Sequence, residues 1–262
     1  MPSSLNVMNS SSRPCREHAS LIQAASAGHN INNRKVTLIM NNGFVVAIDG
    51  PAGAGKSTIA KLAAGKLGFA YIDTGAMYRA VTWKLLQTGK PFTPELAGKL
   101  AHEICITFRP ENAVNRVFVD GTEVTDAIRT AEVTGLVSKV AAVPEVRTAM
   151  VDQQRRMGKE GGIVMDGRDI GTVVFPDAQC KIFLTATVEE RARRRGLELE
   201  AKGETVDYKK LQEEIASRDK QDMEREVSPL RQAEDAIYLD TSAMNIEQVT
   251  DKVLELVKEK QL

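Results

Sequence analysis

The chain has little of several features that define whole classes of protein. Its 3 cysteines, Cys15, Cys105 and Cys180, are scattered over 262 residues and form no C-x-x-C pair. They indicate neither a disulfide framework nor a zinc site, and we expect them to pack in the core of a protein from a reducing compartment. No apolar run approaches the ~18 residues of a membrane-spanning helix, so we expect no membrane partner.

The chain also has no formal net charge and few histidines. The 35 basic residues balance 35 acidic ones, so whole-chain charge predicts no nucleic-acid partner, and any basic site must be local. None of the 3 histidines, His18, His29 and His102, lies in a motif that would offer a general base. A content of 42% hydrophobic and 27% charged residues is ordinary for a globular protein. The length suits one large domain, or one domain that carries an insert.

One stretch carries a strong chemical signature. Residues 44–48 form an apolar, β-branched run that predicts a strand buried on both faces of a parallel sheet. The phosphate-loop pattern G-x-x-x-x-G-K-[S/T] follows without a mismatch. A glycine-rich turn that matches by chance is the alternative, but strand, loop and a helix at 59–67 arrive in the order that phosphate binding needs. The predicted donor-nucleotide residues are Gly50, Pro51, Ala52, Gly53, Ala54, Gly55, Lys56, Ser57 and Thr58.

Each part of this loop has a physical role. Small residues let backbone N–H groups face a polyphosphate that a bulky side chain would block. Lys56 supplies a mobile cation for the β- and γ-phosphates, and Ser57 supplies a hydroxyl for Mg²⁺.

The first 40 residues differ from the rest of the chain. They are rich in Ser and Asn and hold Arg13, Arg16, Arg34 and Lys35 against the single acid Glu17. Three interpretations remain open: translation that starts at Met40, an organelle transit peptide, or a disordered tail. We expect a cytoplasmic protein, with an organelle as the alternative if residues 1–40 are a transit peptide.

Strands and helices alternate along most of the remaining chain. Strands are expected at 69–72, 163–165, 181–184 and 237–239, and helices at 74–86, 188–201, 208–226 and 246–260, the first of them capped by Thr74. Antiparallel strands at 104–108 and 114–119, with a turn at Asp120-Gly121, and a helical stretch at 125–156 broken by Pro144 predict an inserted subdomain at about 90–160. Without the insert, the alternation predicts an α/β fold whose parallel sheet has helices on both faces.

Carboxylates follow four of the predicted strands, at Asp49, Asp73, Asp166 and Asp240. Ligands of open α/β sheets bind at this edge. Asp166 follows its strand as a Walker-B carboxylate does, and it could hold Mg²⁺ through water. The alternative is that Asp166 caps the next turn.

Three arginines share one face of a predicted helix. Arg191, Arg194 and Arg195 lie at offsets 0, 3 and 4. Glu189 and Glu190 neutralise only part of this cluster, so a polyphosphate ligand is predicted, with a solvated charged face as the alternative. Arg193 is predicted to face solvent.

A second stripe follows in the next helix. Arg218, Asp222 and Arg225 lie at offsets 0, 4 and 7, which suits a phosphate plus a sugar hydroxyl, or else a plain surface ladder of charges. Arg79 and Arg168 add further guanidinium groups near the phosphate loop. An acceptor that is itself a phosphate is already ionised at neutral pH. It therefore needs charge neutralisation and positioning rather than a general base.

Six blocks in this order resemble the bacterial-type cytidylate kinases, the CMP/dCMP kinases of the nucleoside-monophosphate (NMP) kinase group of P-loop NTPases: IDGPAGAGKST, YIDTGAMYRA, IRTAEVTGLVSKVAAVPEVR, DGRDIGTVVFPDA, ERARRR and SRDKQDMER. The resemblance covers about 44–260, and the DGRD block is its most specific part. It implies transfer of the ATP γ-phosphate to CMP or dCMP with Mg²⁺. It also implies a P-loop NTPase-type five-stranded parallel sheet in a kinase domain at 41–262. An NMP-binding region would span about 74–160, and a lid with the arginine helices about 190–226. We expect a monomer.

The resemblance also implies residue roles. Lys56, Arg168, Arg191 and Arg225 would be catalytic, and Arg191, Arg194 and Arg195 would hold the donor. Arg79, Arg168 and Arg225 would hold the acceptor phosphate, Arg218 and Asp222 the ribose, and Ser138, Arg147 and Asp169 the cytosine edge. A carboxylate accepts from the amino group of cytosine, where uracil offers a carbonyl. The full acceptor set is Thr74, Tyr78, Arg79, Ser138, Arg147, Arg168, Asp169, Arg218, Asp222 and Arg225.

Two rival functions remain. Another P-loop small-molecule kinase, such as a nucleoside or shikimate kinase, would accept a neutral hydroxyl and would generally need a carboxylate base. A GTPase-like switch is disfavoured because the sequence has no N-K-x-D motif.

Overall fold

The structure is a computed structural model that describes residues 43–111, 114–201 and 203–261. The three interpretations of residues 1–40 and the position of Cys15 lie outside the described residues. Within the described ranges, no helix is both long enough and apolar enough to cross a membrane.

The described residues form eight strands and eight α-helices. The strands are β1 (Val45–Asp49), β2 (Ala70–Asp73), β3 (Ile106–Glu111), β4 (Val114–Val119), β5 (Thr122–Glu123), β6 (Ile163–Gly167), β7 (Cys180–Thr185) and β8 (Ile237–Asp240). The helices are α1 (Lys56–Leu67), α2 (Thr74–Gln87), α3 (Pro94–Glu103), α4 (Ala131–Ala141), α5 (Pro144–Met157), α6 (Val188–Glu200), α7 (Tyr208–Glu224) and α8 (Ile246–Gln261). A 3₁₀ turn at Ala127–Arg129 and a π-helical turn at Ile170–Val174 complete the described elements.

The main sheet has five parallel strands in the order β2-β6-β1-β7-β8, which confirms the predicted fold class. Alternate residues of β1 enter two different cores. Val45 and Ala47 join the cluster that contains α2 and α5, whereas Val46 and Ile48 join the cluster that contains α1 and α8. Because both faces of the strand are covered, its sequence is continuously hydrophobic instead of alternating.

A second, antiparallel sheet of three strands, β3-β4-β5, lies in the insert. The predicted turn at Asp120-Gly121 is present, but it joins β4 to β5 rather than the first two strands. Both turn residues have positive φ, 51° and 83°. Two positive φ values are what a tight hairpin of this hand requires, and glycine adopts them without steric cost.

The insert also contains helix α3, which the sequence reasoning missed. Its start signal is nevertheless present: the Thr93 hydroxyl accepts from the Leu96 N–H at 3.2 Å, and Pro94 occupies the first turn. Ile106 and Met150 of the insert are fully buried in the same cluster as Val45. The insert therefore shares a hydrophobic core with one face of the main sheet.

Two predicted helix ends were wrong. Asp73, and not Thr74, caps α2: its backbone is extended and its carboxylate accepts from the Ala76 N–H at 2.9 Å. This leaves the Thr74 hydroxyl free to donate to the Asp166 carbonyl oxygen at 2.7 Å. Helix α7 ends at Glu224, so Arg225 follows the helix in an extended conformation instead of continuing its stripe.

The cysteines differ in burial. Cys180 is fully buried in β7 and fills the core, as predicted. Cys105 is only half-buried at the start of the insert sheet.

Core packing around the central strands should dominate stability. Ile163 in β6 is fully buried, whereas the Leu62 side chain of α1 is 41% exposed. We expect Ile163→Ala to lower the free energy of unfolding by about 2–5 kcal/mol, and Leu62→Ala by less than about 1 kcal/mol. Urea denaturation of both variants measures the difference, and equal losses would contradict the assignment of the core.

Candidate functional site

The loop between β1 and α1 has a backbone that requires glycine. Gly53 and Gly55 adopt φ of 73° and 87°. A Cβ atom at Gly50 would lie 1.9 Å from the Leu184 carbonyl oxygen. Gly55 caps α1 without any side-chain hydrogen bond, and the first turn of the helix holds no acidic residue. The N-terminal N–H groups of α1 are therefore left for an anion.

Lys56 lies folded along this loop. Its side chain is buried, and its ammonium group donates to the Pro51 carbonyl oxygen at 2.7 Å. Burial, followed by the nearby Arg168, lowers the pKa of Lys56, while Asp166 and Asp49 oppose this shift. A polyphosphate in the loop would restore the electrostatic balance of this buried cation.

Asp166 is the centre of a hydrogen-bond cluster at the end of β6. Its carboxylate accepts from the Ser57 hydroxyl at 2.9 Å and from the Tyr71 hydroxyl at 2.8 Å. The alternative that Asp166 caps the next turn is therefore wrong. Burial and the neighbouring Asp73 raise the pKa of Asp166, and Lys56 and the two hydroxyl donors partly offset that rise.

The donor set at Ser57 and Asp166 fits Mg²⁺. A hydroxyl and a carboxylate are hard oxygen ligands. In the described ranges, no group of three or more His, Cys, Asp or Glu side chains could hold a metal ion unaided. An ion at this position would therefore take its other ligands from phosphate oxygens and water, as Mg²⁺ does in nucleotide sites.

Asp49 has a structural role that the sequence did not reveal. Its buried carboxylate accepts from the backbone N–H groups of Ile170 and Gly171 at 2.8 and 2.7 Å. It thereby fixes the π-helical turn that follows the DGRD block. Burial raises the pKa of Asp49 to about 6 despite these two hydrogen bonds.

Two of the three arginines predicted to bind the donor nucleotide reach the phosphate loop. Arg191 is buried and donates to the Ala52 carbonyl oxygen at 3.0 Å. Arg194 donates to the Ala54 carbonyl oxygen at 3.5 Å and to the Thr241 carbonyl oxygen at 2.6 Å.

The remaining arginines of α6 lie elsewhere. Arg195 is paired with Glu198 at 2.9 Å, and its charge acts on Arg79 and Arg218. The structure therefore does not bring Arg195 to the loop beside Arg191 and Arg194. Arg193 is exposed, as predicted.

The residues predicted to bind the acceptor nucleotide converge from several elements. Arg168 donates to Asp222 at 2.8 Å, and Arg225 lies 3.8 Å from Asp222 and 3.7 Å from Asp169. The buried Arg147 pairs with Asp169.

The edges of this cluster come from α2 and α4. The Arg147 guanidinium carbon lies 5.3 Å from the centre of the Tyr78 ring. Arg79 donates to the Thr134 hydroxyl at 2.8 Å. Ser138 is half-buried on α4, and no side-chain hydrogen bond joins it to the described members of the cluster.

This cluster has an excess of positive charge. Six arginines face four aspartates: Arg79, Arg147, Arg168, Arg191, Arg218 and Arg225 against Asp73, Asp169, Asp219 and Asp222. Burial and neighbouring arginines lower the pKa values of Arg218 and Arg225, and that of Arg79 to about 10. Several buried polar atoms lack a hydrogen-bond partner among the described residues: Tyr78 Oη, Arg147 Nε, Arg218 Nε, Asp219 Oδ1 and Arg225 Nη2. An anionic ligand would satisfy the four donors in this set, but not the Asp219 carboxylate oxygen, which is an acceptor.

Sequence reasoning missed Tyr71 and Asp219. Tyr71 holds Asp166 but occupies a strand position typical of a packing residue. Asp219 pairs with Arg191 at 2.6 Å and lies one position from the recognised stripe of α7. Neither has a sequence signal, because each acts on a residue that is distant along the chain.

Comparison with known proteins gives consistent results. The family model described as cytidylate kinase matches residues 46–259. A cytidylate kinase of Exiguobacterium sibiricum is 57% identical, covering 81% of this chain and 96% of that protein. The cytidylate kinase of an Exiguobacterium species is 53% identical, and that of Bacillus subtilis is 52% identical. Each of these two alignments covers 84% of this chain and 99% of the relative.

The buried Asp49 should make stability depend on pH. Because its pKa is raised from 3.8 to about 6, its contribution is fully present below about pH 4 and is lost as the pH rises through about 6. We expect the unfolding free energy of the wild type, relative to Asp49→Asn, to fall by about 2 kcal/mol between about pH 4 and pH 7. Urea denaturation at several pH values measures this. A difference that stays constant with pH would refute it.

Proposed function

The chain belongs to the cytidylate kinase family, and on that premise we propose that it transfers the γ-phosphate of ATP to CMP or dCMP, giving ADP and CDP or dCDP. The observation that supports this most strongly is the cluster of buried, partly unsatisfied arginines beside a phosphate loop. Two polyanions repel each other, and this cluster supplies the charge that brings them together.

The donor triphosphate would lie in the loop Gly50–Thr58. Lys56 would exchange the Pro51 carbonyl oxygen for phosphate oxygens, and the N-terminus of α1 would add its N–H groups. Arg191 and Arg194 already contact this loop. Arg195 could join them only by leaving Glu198.

Ser57 and Asp166, the latter through water, would hold Mg²⁺. When bound, the ion neutralises charge on the β- and γ-phosphates and orients them for transfer. Tyr71 and Ser57 fix the direction of the Asp166 carboxylate through their hydrogen bonds.

The acceptor would occupy the arginine cluster. We assign the CMP phosphate to Arg79, Arg168 and Arg225. Arg218 and Asp222 would bind the ribose. Ser138, Arg147 and Asp169 would read the cytosine edge, and Thr74 and Tyr78 would line the site. Ligand oxygens would replace the present ion pairs, which keep the guanidinium groups in place until the ligand arrives.

In the reaction, an ionised oxygen of the CMP phosphate attacks the γ-phosphorus. The bond from that phosphorus to the bridging oxygen breaks, and ADP leaves. No proton has to be removed from the ionised acceptor, which agrees with the absence of a candidate histidine base in the sequence. Lys56, Arg168, Arg191 and Arg225 would neutralise the charge that develops during transfer. We propose that the lid at about 190–226 and the NMP region at about 74–160 close over both substrates and exclude water.

We also propose a monomeric, cytoplasmic enzyme. The scarcity of cysteine supports a reducing compartment. A transit peptide at residues 1–40 would imply an organelle instead, and cell fractionation distinguishes the two locations.

The function is tested by a coupled assay that presents ATP and Mg²⁺ with CMP, dCMP, UMP or cytidine. We expect turnover with CMP or dCMP and none with cytidine. Lys56→Met should lower kcat by at least about a hundredfold, because the cation that follows the transferring phosphoryl group is lost.

The control for this assay is an unchanged far-UV circular dichroism spectrum of Lys56→Met. Turnover of cytidine in preference to CMP would replace the proposal with a nucleoside kinase. Wild-type kcat in Lys56→Met would refute the assignment of the loop.

The assignment of the base-reading residues makes a separate prediction. Asp169→Ala should reduce the ratio of kcat/KM for CMP to that for UMP by about tenfold or more, because the carboxylate that accepts from the cytosine amino group is removed. The KM for ATP should change by less than about threefold. Asp177→Ala, which removes an exposed carboxylate outside the site, serves as the matched control. An unchanged ratio in Asp169→Ala would show that another group reads the base.

A further inference from the structure

We infer that Asp219 is a positioning residue for phosphoryl transfer: it holds the Arg191 guanidinium at the phosphate loop from the helix that carries the acceptor residues. This inference rests on the proposed function, because it concerns the arginine that we assign to the transferring phosphoryl group.

The Arg191 guanidinium is held by three separate segments of the chain. Its Nη1 atom lies 2.6 Å from Asp219 Oδ2 and donates to the Ala52 carbonyl oxygen at 3.0 Å. Its Nε–H donates to the Ala186 carbonyl oxygen at 2.9 Å. The Arg191 and Asp219 side chains are only 5% and 14% exposed. Two of the three acceptors are neutral carbonyls, so Asp219 supplies the only carboxylate that Arg191 contacts among the described residues.

The surrounding charges make this carboxylate hard to replace. Burial, Arg168 and Arg195 lower the pKa of the adjacent Arg218, and Asp222 and Asp219 oppose them. Asp222 already pairs with Arg168 and Arg225. Without the charge of Asp219, Arg191 would be a buried cation whose remaining contacts among the described residues are neutral carbonyl oxygens. Removing one partner of a buried ion pair leaves an uncompensated charge, so the guanidinium would no longer be fixed against the loop.

Asp219 also joins the two halves of the site. It lies on α7 between Arg218 and Asp222, the proposed ribose-binding residues, while Arg191 lies on α6 against the phosphate loop. At the far ends of these helices, Tyr208 donates to Glu200 at 3.0 Å, and its ring packs on Gly196, where a Cβ atom would lie 2.4 Å away. The packing of α6 on α7 thus has support that does not depend on Asp219.

One oxygen of Asp219 is free for a second contact. Oδ1 is buried and has no hydrogen-bond partner among the described residues, and the same holds for Nε of the neighbouring Arg218. A buried acceptor without a donor is costly and is usually satisfied in some functional state. Closure of α7 over the bound CMP would bring Oδ1 a hydrogen-bond donor, while Oδ2 keeps Arg191 in place.

The test is a double-mutant cycle measured with CMP, ATP and Mg²⁺. Asp219→Asn keeps the shape of the side chain and removes its charge. We expect kcat to fall about tenfold to a hundredfold, the cost of a misplaced catalytic group, while the KM for CMP changes by less than about threefold. In an Arg191→Ala background, Asp219→Asn should change kcat by less than about twofold, because the residue through which it acts is gone.

The matched control is Glu214→Gln, which removes one charge from an exposed position of the same helix and should leave kcat unchanged. Asp219→Glu, which keeps the charge, should recover part of the lost kcat. The melting temperature of each variant is compared with that of the wild type.

Three results would overturn the inference. The first is a kcat of Asp219→Asn within about twofold of the wild type. The second is an equal loss in both backgrounds. The third is a loss explained by unfolding of Asp219→Asn that Asp219→Glu does not reverse. A wild-type enzyme that fails to phosphorylate CMP would refute the proposed function instead, so the two failures are distinguishable.

Discussion

Repulsion between guanidinium groups that share one buried edge is the constraint on which the rest of this structure depends. Four arginines can remain together because each lies against a carboxylate from another element: Arg147, Arg168, Arg191 and Arg225. The carboxylates are too few to neutralise the cluster and leave several buried donors unsatisfied. On the proposed function, these charges are held in a geometry that phosphate groups would complete, so that part of the cost of orienting them would be met before binding.

The parallel sheet explains why these groups meet in one place. β1 and β6 run side by side in the same direction, so that Asp49 lies beside Gly167 and Ile48 beside Asp166. The phosphate loop and the DGRD block therefore leave the sheet at the same edge, although more than a hundred residues separate them. Because all four neighbour pairings of the five strands are parallel, every crossover helix can place a loop at this edge.

Local sequence patterns made part of the fold predictable. Strand β1, the phosphate loop and α1 each carry a residue pattern that holds whatever the rest of the chain does, and the observed bounds agree within a few residues. Helix α3 was missed even though Thr93-Pro94 marks its start. The cap of α2 was assigned one residue too late, because Asp73 and Thr74 are both good caps and only the end of β2 decides between them.

By itself, the sequence determined the fold class, the phosphate loop and a local surplus of arginines, because these depend on hydrophobic periodicity, glycine conformation and net local charge. Only the tertiary structure decided which carboxylate each arginine faces, that Tyr71 orients Asp166, and that Arg195 turns to Glu198 and away from the loop. The physical reason is that long side chains pair with whatever acceptor lies within reach in space. That distance is set by the packing of helices and strands far apart in the chain, and no spacing along the sequence encodes it.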